Sequence, residues 1–198
     1  MHSTQLLALL ILVTLSSSQS NCARHNIIGL DRSASMSVGS PNSLWDKVND
    51  FFYGPDEYAR SFANRKITAF MFNESIIEFP PPFGPIVYEE DVFLPLVDEV
   101  PAGETNLDAA IMKAAVTMLN YPKAKTDFVL ITDGQGDISQ TAINLFSFAS
   151  YRVRKEGCLV LTVCSLVKPY DDISAVPASL ANFCRPHSNA LFVTIPAN

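Results

Sequence analysis

Phe128-Val129-Leu130-Ile131-Thr132-Asp133-Gly134 is an apolar run that ends on an acid and a glycine. A strand with one wet face alternates apolar and polar residues, whereas an unbroken apolar run is expected where helices cover both faces of a sheet. Leu159 to Val163 (LVLTV) has the same character, and Ile27-Ile28-Gly29-Leu30 is a shorter version that also ends on an acid, Asp31. Lys66 to Phe72 (KITAFMF) adds another strand. A two-residue turn at Asn73-Glu74 leads into a third, Ser75 to Phe79, and Leu191 to Ile195 supplies a sixth.

Helical patterns fill the gaps between these runs. Leu107, Ala110, Ile111, Ala114, Ala115, Met118 and Leu119 recur at three- and four-residue intervals behind Asn106, a good N-cap. Ala142, Ile143, Phe146, Ala149 and Val153 repeat the pattern and stop at Gly157. Leu44, Val48, Phe51 and Phe52 mark an earlier helix, Val92 to Val97 a short one, and Ile173 to Phe183 a less regular one interrupted by Pro177. The alternation predicts an α/β, doubly wound sheet of six strands, mostly parallel with one antiparallel edge strand, and helices on both faces.

Chain direction then follows from the element order. If the first strand runs upward, a helix brings the chain down, the second strand rises, and the tight turn at Asn73 sends the third strand downward. The helix near Val92 to Val97 returns the chain to the top at Gly103 to Asn106, the next helix descends, and the FVLIT strand rises to Asp133. Three segments, Asp31-Arg32-Ser33-Ala34-Ser35, Glu104-Thr105-Asn106 and Thr132-Asp133-Gly134, are therefore expected together at the carboxyl ends of the strands, where doubly wound sheets bind ligands. Asp31, Ser33, Ser35, Thr105 and Asp133 offer two carboxylates and three hydroxyls with no nitrogen or sulfur. An all-oxygen set selects a hard cation, Mg2+ first and Mn2+ or Ca2+ next, over zinc or copper. The bland alternative is that Ser33, Ser35 and Thr105 are ordinary turn and cap residues.

This constellation resembles the metal-ion-dependent adhesion site of von Willebrand factor A (VWA) domains, also found in integrin inserted domains. The match consists of Asp-x-Ser-x-Ser after the first strand, a threonine before a long helix, and an aspartate after the FVLIT strand, with GETNLDAAI and FVLITDG around them. It runs from about Asn26 to Ile195. The resemblance implies that the serines and the threonine coordinate a divalent cation, that the aspartates bind it directly or through water, and that one position takes a Glu or Asp carboxylate from a partner protein. Thr105 sits on a segment separate from the Asp31 loop that can approach or leave the ion. In integrin inserted domains such a shift is coupled to the final helix, so without that helix a fixed affinity state is expected and not a switch. Position 34 is Ala where the family commonly has Gly, which a loop accepts unless it needs a positive φ. The chain stops soon after Ile195, where the family usually continues into a final helix, so that helix is expected to be missing and the oligomeric state is open.

Leu6 to Leu15, apolar but for Thr14, precedes Ser16-Ser17-Ser18-Gln19-Ser20 and has the form of a signal peptide over residues 1–20. Ten apolar residues fall short of the roughly 20 that a membrane-spanning helix needs. Residues 21–198 are then expected to form one exported VWA-like domain with no membrane anchor. Cys22, Cys158, Cys164 and Cys184 make an even count, which in an exported chain favours disulfides. Cys158 and Cys164 should not pair with each other. Six residues along a strand span about 20 Å, and disulfide Cα atoms sit about 4.4 to 6.8 Å apart. Asn73-Glu74-Ser75 is a glycosylation sequon.

The net charge of -6 and the absence of a long basic cluster exclude nucleic acid as an expected partner. An enzyme using Ser33 or Ser35 as nucleophile would need a base. Only His25 and His187 remain after leader removal, neither is expected at the upper edge, and GxSxG is absent. The expected function is a secreted, non-enzymatic module for cell or matrix adhesion and recognition. The alternatives are a structural extracellular domain without metal-dependent binding and, behind it, a hydrolase.

Overall fold

The computed structural model describes residues 22–37, 43–46, 66–78, 100–167, 178–184 and 191–195. The expected leader over 1–20, the helix at 92–97, His187, and the parts of two other helices beyond residue 46 and before residue 178 lie outside the described residues. The elements are β1 (Ala23–Asp31), a 3-10 turn (Ala34–Ser37), β2 (Lys66–Phe72), β3 (Ile76–Glu78), α1 (Leu107–Asn120), β4 (Ala124–Thr132), α2 (Gln140–Lys155), β5 (Val160–Val167), α3 (Ala178–Cys184) and β6 (Leu191–Ile195). The strands form one six-stranded sheet in the order β3-β2-β1-β4-β5-β6. All neighbouring pairs are parallel except β2 with β3, which is antiparallel. The expected doubly wound sheet with one reversed edge strand is the observed one.

Boundaries moved where polar residues join buried strands. β4 begins at Ala124, four residues before the apolar run, because Lys125, Thr126 and Asp127 are paired with β1 on one side and Thr126 and Asp127 with β5 on the other. In a central strand the two flanking ladders impose extended backbone whatever the side chains prefer. β1 starts at Ala23 for the same reason. The turn after β2 takes three residues, not two: Ser75 N–H donates to Asn73 Oδ1 at 3.1 Å, which keeps Ser75 in the turn and starts β3 at Ile76.

Caps match their sequence signals. Asn106 Oδ1 accepts from Ala109 N–H at 2.9 Å at the head of α1. Ser139 does the same for Ala142 N–H in α2, so that helix starts two residues ahead of its first apolar position. At the other end of α2, Gly157 has φ +79, Gly157 N–H bonds Arg154 O, and Cys158 N–H bonds Val153 O. That pattern of two bonds closing on a left-handed glycine satisfies two of the last carbonyls. Ser43 and Asp46 bond each other reciprocally, Ser43 N–H to Asp46 Oδ2 at 2.8 Å and Asp46 N–H to Ser43 Oγ at 3.0 Å, which opens the helical turn at 44–46.

One face of the sheet packs on α1, α2 and α3. Phe128 of β4 meets Phe146 of α2 with ring centroids 5.5 Å apart, and Phe146 meets Phe183 of α3 edge-on at 5.0 Å. Side chains alternate along a strand, so Ile28, Leu30, Ile67, Met71 and Ile131 point to the opposite face. They are buried too, as are Leu44 and Trp45, so Trp45 serves packing.

Two disulfides tie this frame. Cys22 just before β1 joins Cys158 just before β5, bridging the lower end of β4, with Cα atoms 5.9 Å apart. Cys164 within β5 joins Cys184 at the end of α3, at 6.3 Å. Cys158 and Cys164 do not pair with each other, as strand geometry required. The sequence separations are 136 and 20, and chain-entropy arithmetic assigns about 5 and about 3 kcal/mol to loops of those sizes. Non-reduced peptide mapping should return these two pairs, and Cys22→Ser with Cys158→Ser should lower denaturant stability more than Cys164→Ser with Cys184→Ser.

Candidate metal centre

β1 and β4 lie side by side with Leu30 opposite Ile131, so Asp31 and Thr132 emerge together at the upper edge. Neighbours diverge there: β2 follows on one side of β1, and β4 and β5 on the other. Asp31, fully buried, accepts from Thr132 Oγ1 at 2.6 Å through Oδ2 and from Ser33 N–H at 2.9 Å through Oδ1. Ser33 Oγ lies 2.9 Å from Ser35 Oγ. Asp-x-Ser-x-Ser is thus one hydrogen-bonded chain, wound by the 3-10 turn. Ala34 sits in that right-handed turn, which alanine adopts freely, so a glycine is not needed there.

After β4, Thr132 Oγ1 accepts from Gly134 N–H at 3.0 Å, and Asp133 Oδ1 accepts from Gln135 N–H at 2.9 Å. Gly134 has φ +82 and Gly136 φ +114, conformations that favour glycine. Asp133 is 5% exposed, and its Oδ2 is buried with no hydrogen-bond partner among the described residues. An oxygen left so costs about 1–3 kcal/mol, more when charged.

Thr105 is half-buried and lies against this second loop: a Cβ built on Gly136 would sit 3.6 Å from Thr105 Cβ and 3.5 Å from Thr105 O. Its segment is also bonded to the Asp31 loop, Ala102 N–H to Arg32 O and Ala34 N–H to Gly103 O, both at 2.9 Å. Those bonds tie the chain just before Thr105 to the Asp31 loop. All five sequence-derived positions therefore lie around one end of the sheet. Thr132, which holds Asp31, carried no assigned role in the sequence; its signal was its place beside Asp31 once β1 and β4 are paired.

Asn73 is 9% exposed, with its Nδ2 donating to Ala102 O at 2.9 Å. His25 lies far from the centre, at the start of β1 opposite Lys66, fully buried with Nε2 2.8 Å from Thr68 Oγ1 and its ring edge-on to Tyr121. Among the described residues no group of three or more His, Cys, Asp or Glu could hold a metal ion. Among the five candidate positions, the two carboxylates are complemented by hydroxyls alone.

No family model and no curated protein matches the sequence. Solved structures do match the fold. A von Willebrand factor type A protein from Catenulispora acidiphila superposes with a TM-score of 0.62 at 11% identity over 89% of this chain, which spans 39% of that one. The VWA domain of SpRpn10 gives 0.58 at 14%, with 89% of each chain covered. Manganese-loaded TRAP protein of Plasmodium vivax gives 0.53 at 13%, covering 87% of this chain and 68% of that chain. The fold is that of VWA domains.

In this VWA fold the Asp31 carboxyl is pushed up from 3.8 to about 6. Burial is the largest cause and the Asp133 charge adds to it; the Thr132 and Ser33 hydrogen bonds oppose it. The folded state then holds a proton between about pH 4 and 6 that the unfolded state releases. Stability from this group is full below pH 4 and is lost as pH rises through 6, a cost of about 3 kcal/mol at neutral pH. Metal-free Asp31→Asn should therefore melt several degrees above the wild type at pH 7.5, with the gap closing near pH 4. A lower melting temperature at pH 7.5 would mark Asp31 as a structural carboxylate.

Proposed function

We propose that the upper edge of this VWA-fold chain holds one divalent cation, Mg2+ first, and through it binds a Glu or Asp carboxylate of an extracellular protein. The carrying observation is the pair of buried carboxylates at adjoining strand ends, Asp31 and Asp133, one with an oxygen that no described group satisfies. Two acids forced together in a dry site lower their energy by sharing a cation. Ser33, Ser35 and Thr105 contribute neutral hydroxyl oxygens, and Asp31 and Asp133 contribute charge directly or through water. Few direct anionic ligands leave the bound cation with residual positive charge for an incoming carboxylate.

The reading is supported by the hydrogen-bonded loop of residues 31–35, by the Thr132 hydroxyl on Asp31, and by the bonds of Ala102 and Gly103, just before Thr105, to that loop. The manganese-loaded Plasmodium neighbour supports a divalent ion in such a fold. Export is supported by the leader-like residues 1–20 and by two disulfides, which persist in oxidising compartments. No helix among the described residues is long and apolar enough to cross a membrane. Binding is favoured over catalysis because, among the described residues, no imidazole lies near Ser33 and Ser35: His25 sits at the opposite end of β1, about 20 Å away at strand rise.

Calorimetric titration of chelator-stripped protein with Mg2+ or Mn2+ should show one site, and Asp31→Ala should abolish it; unchanged binding in that variant defeats the proposal. Binding to a protein partner should vanish in EDTA and return with Mg2+. It should fall at least about tenfold in Thr105→Ala while circular dichroism stays unchanged. Chelator-insensitive binding would place the contact elsewhere.

A further inference from the structure

The strongest structural feature outside the five candidate ligands is the side chain of Asn73, in the turn between β2 and β3. Its Nδ2 donates to Ala102 O at 2.9 Å across 29 residues of chain, and its Oδ1 accepts from Ser75 N–H at 3.1 Å. Ala102 is gripped from both sides, since its own N–H donates to Arg32 O in the Asp31 loop. Next to it, Glu104 N–H donates to Glu74 Oε1 at 3.3 Å. Gly103 lies against both side chains: a Cβ there would meet Glu74 Oε1 at 3.1 Å and Asn73 Nδ2 at 3.3 Å, and its φ is +77.

We propose that Asn73, assisted by Glu74, is a positioning residue that clamps the 102–104 segment and so holds Thr105 in place for the cation. The proposal rests on the metal reading above. A neutral hydroxyl ligand adds little affinity if the loop bearing it must be ordered at the moment of binding, because the lost backbone entropy offsets the new contact. Outer-shell groups that hold ligands in place typically change metal affinity about 10- to 100-fold when removed. Asn73 orders its own turn through Oδ1 and passes that order to the Thr105 segment through Nδ2.

The same nitrogen heads the sequon Asn73-Glu74-Ser75. A sugar on Nδ2 would replace one of its two N–H groups with a bulky group on the side of Gly103. The clamp uses one of the two Nδ2 N–H groups, so it survives a glycan at Asn73 only where the N–H that remains is the one that donates to Ala102 O.

The test uses the full chain, disulfide-intact and unglycosylated, titrated with Mn2+ by calorimetry. Asn73→Asp keeps the oxygen that serves Ser75 but cannot donate to Ala102 O. Its added negative charge alone would tighten cation binding, whereas loss of the clamp weakens it. The expected result is at least about a tenfold loss of Mn2+ affinity, while Ser75→Ala, which destroys the sequon and keeps the carboxamide, stays within about threefold of wild type. Asn73→Asp binding Mn2+ as tightly as wild type, or more tightly, overturns the proposal. Should that variant fail to fold, Glu74→Ala is compared with Glu74→Gln. Both lose the charge and only Gln keeps an acceptor for Glu104 N–H, so Ala should bind at least about threefold more weakly, and equal affinities overturn the clamp. A wild type that binds no Mn2+ sinks the metal reading itself, an outcome distinct from unaltered affinity in the variants.

Discussion

The hydroxyl of Thr132 and the carboxylate of Asp31, 2.6 Å apart, join the ends of two strands separated by 101 residues of chain. That bond exists only because β1 and β4 pair in parallel with Leu30 opposite Ile131. A slip of one residue would turn every side chain of β1 to the other face and send Asp31 away from Thr132. The register also delivers Ser33 and Ser35 on one side and Asp133 on the other. Everything proposed for the upper edge depends on it.

The two ends of the sheet are built to opposite purposes. Below, the Cys22–Cys158 disulfide bridges the end of β4, and His25 is enclosed with its Nε2 bonded to Thr68. Above, the edge is made of loops whose polar side chains bond to their own backbone, and it contains groups that weaken the fold. Asp31 is buried with its carboxyl pushed up to about 6, and Asp133 keeps an unsatisfied buried oxygen. Strain of this kind persists when the surroundings over-determine it. Here the surroundings are the paired strands, the Thr132 hydroxyl and the backbone bonds from Arg32 and Ala34 to the 102–103 segment.

Those backbone bonds alter how Thr105 is understood. Read along the chain, Thr105 stands alone on a connection between elements and looks independent of the Asp31 loop. In the fold, Ala102 and Gly103 lie between the Asp31 loop and the β2–β3 turn and are bonded to both. The candidate ligand loops form one hydrogen-bonded unit, and Asn73 belongs to it although it is not one of the five candidate ligands.

Local chemistry in the sequence determined the fold class, the caps at Asn106 and Gly157, and the five oxygen-bearing positions. Unbroken apolar runs, three-to-four-residue periodicity and a left-handed glycine are all encoded within about a dozen residues. The acid that ends the β1 run and the one just past β4 point to the site because strand ends in such sheets converge. Only the tertiary structure decided where β4 begins, since Lys125 and Asp127 are strand residues by virtue of the ladders beside them. It alone chose the disulfide pairs from the connectivities that four cysteines allow. It alone showed that Thr132 holds Asp31 and that Asn73 reaches Ala102. These contacts join residues 29 to 101 positions apart, and a hydrogen bond of about 3 Å between distant segments leaves no periodic trace in either one.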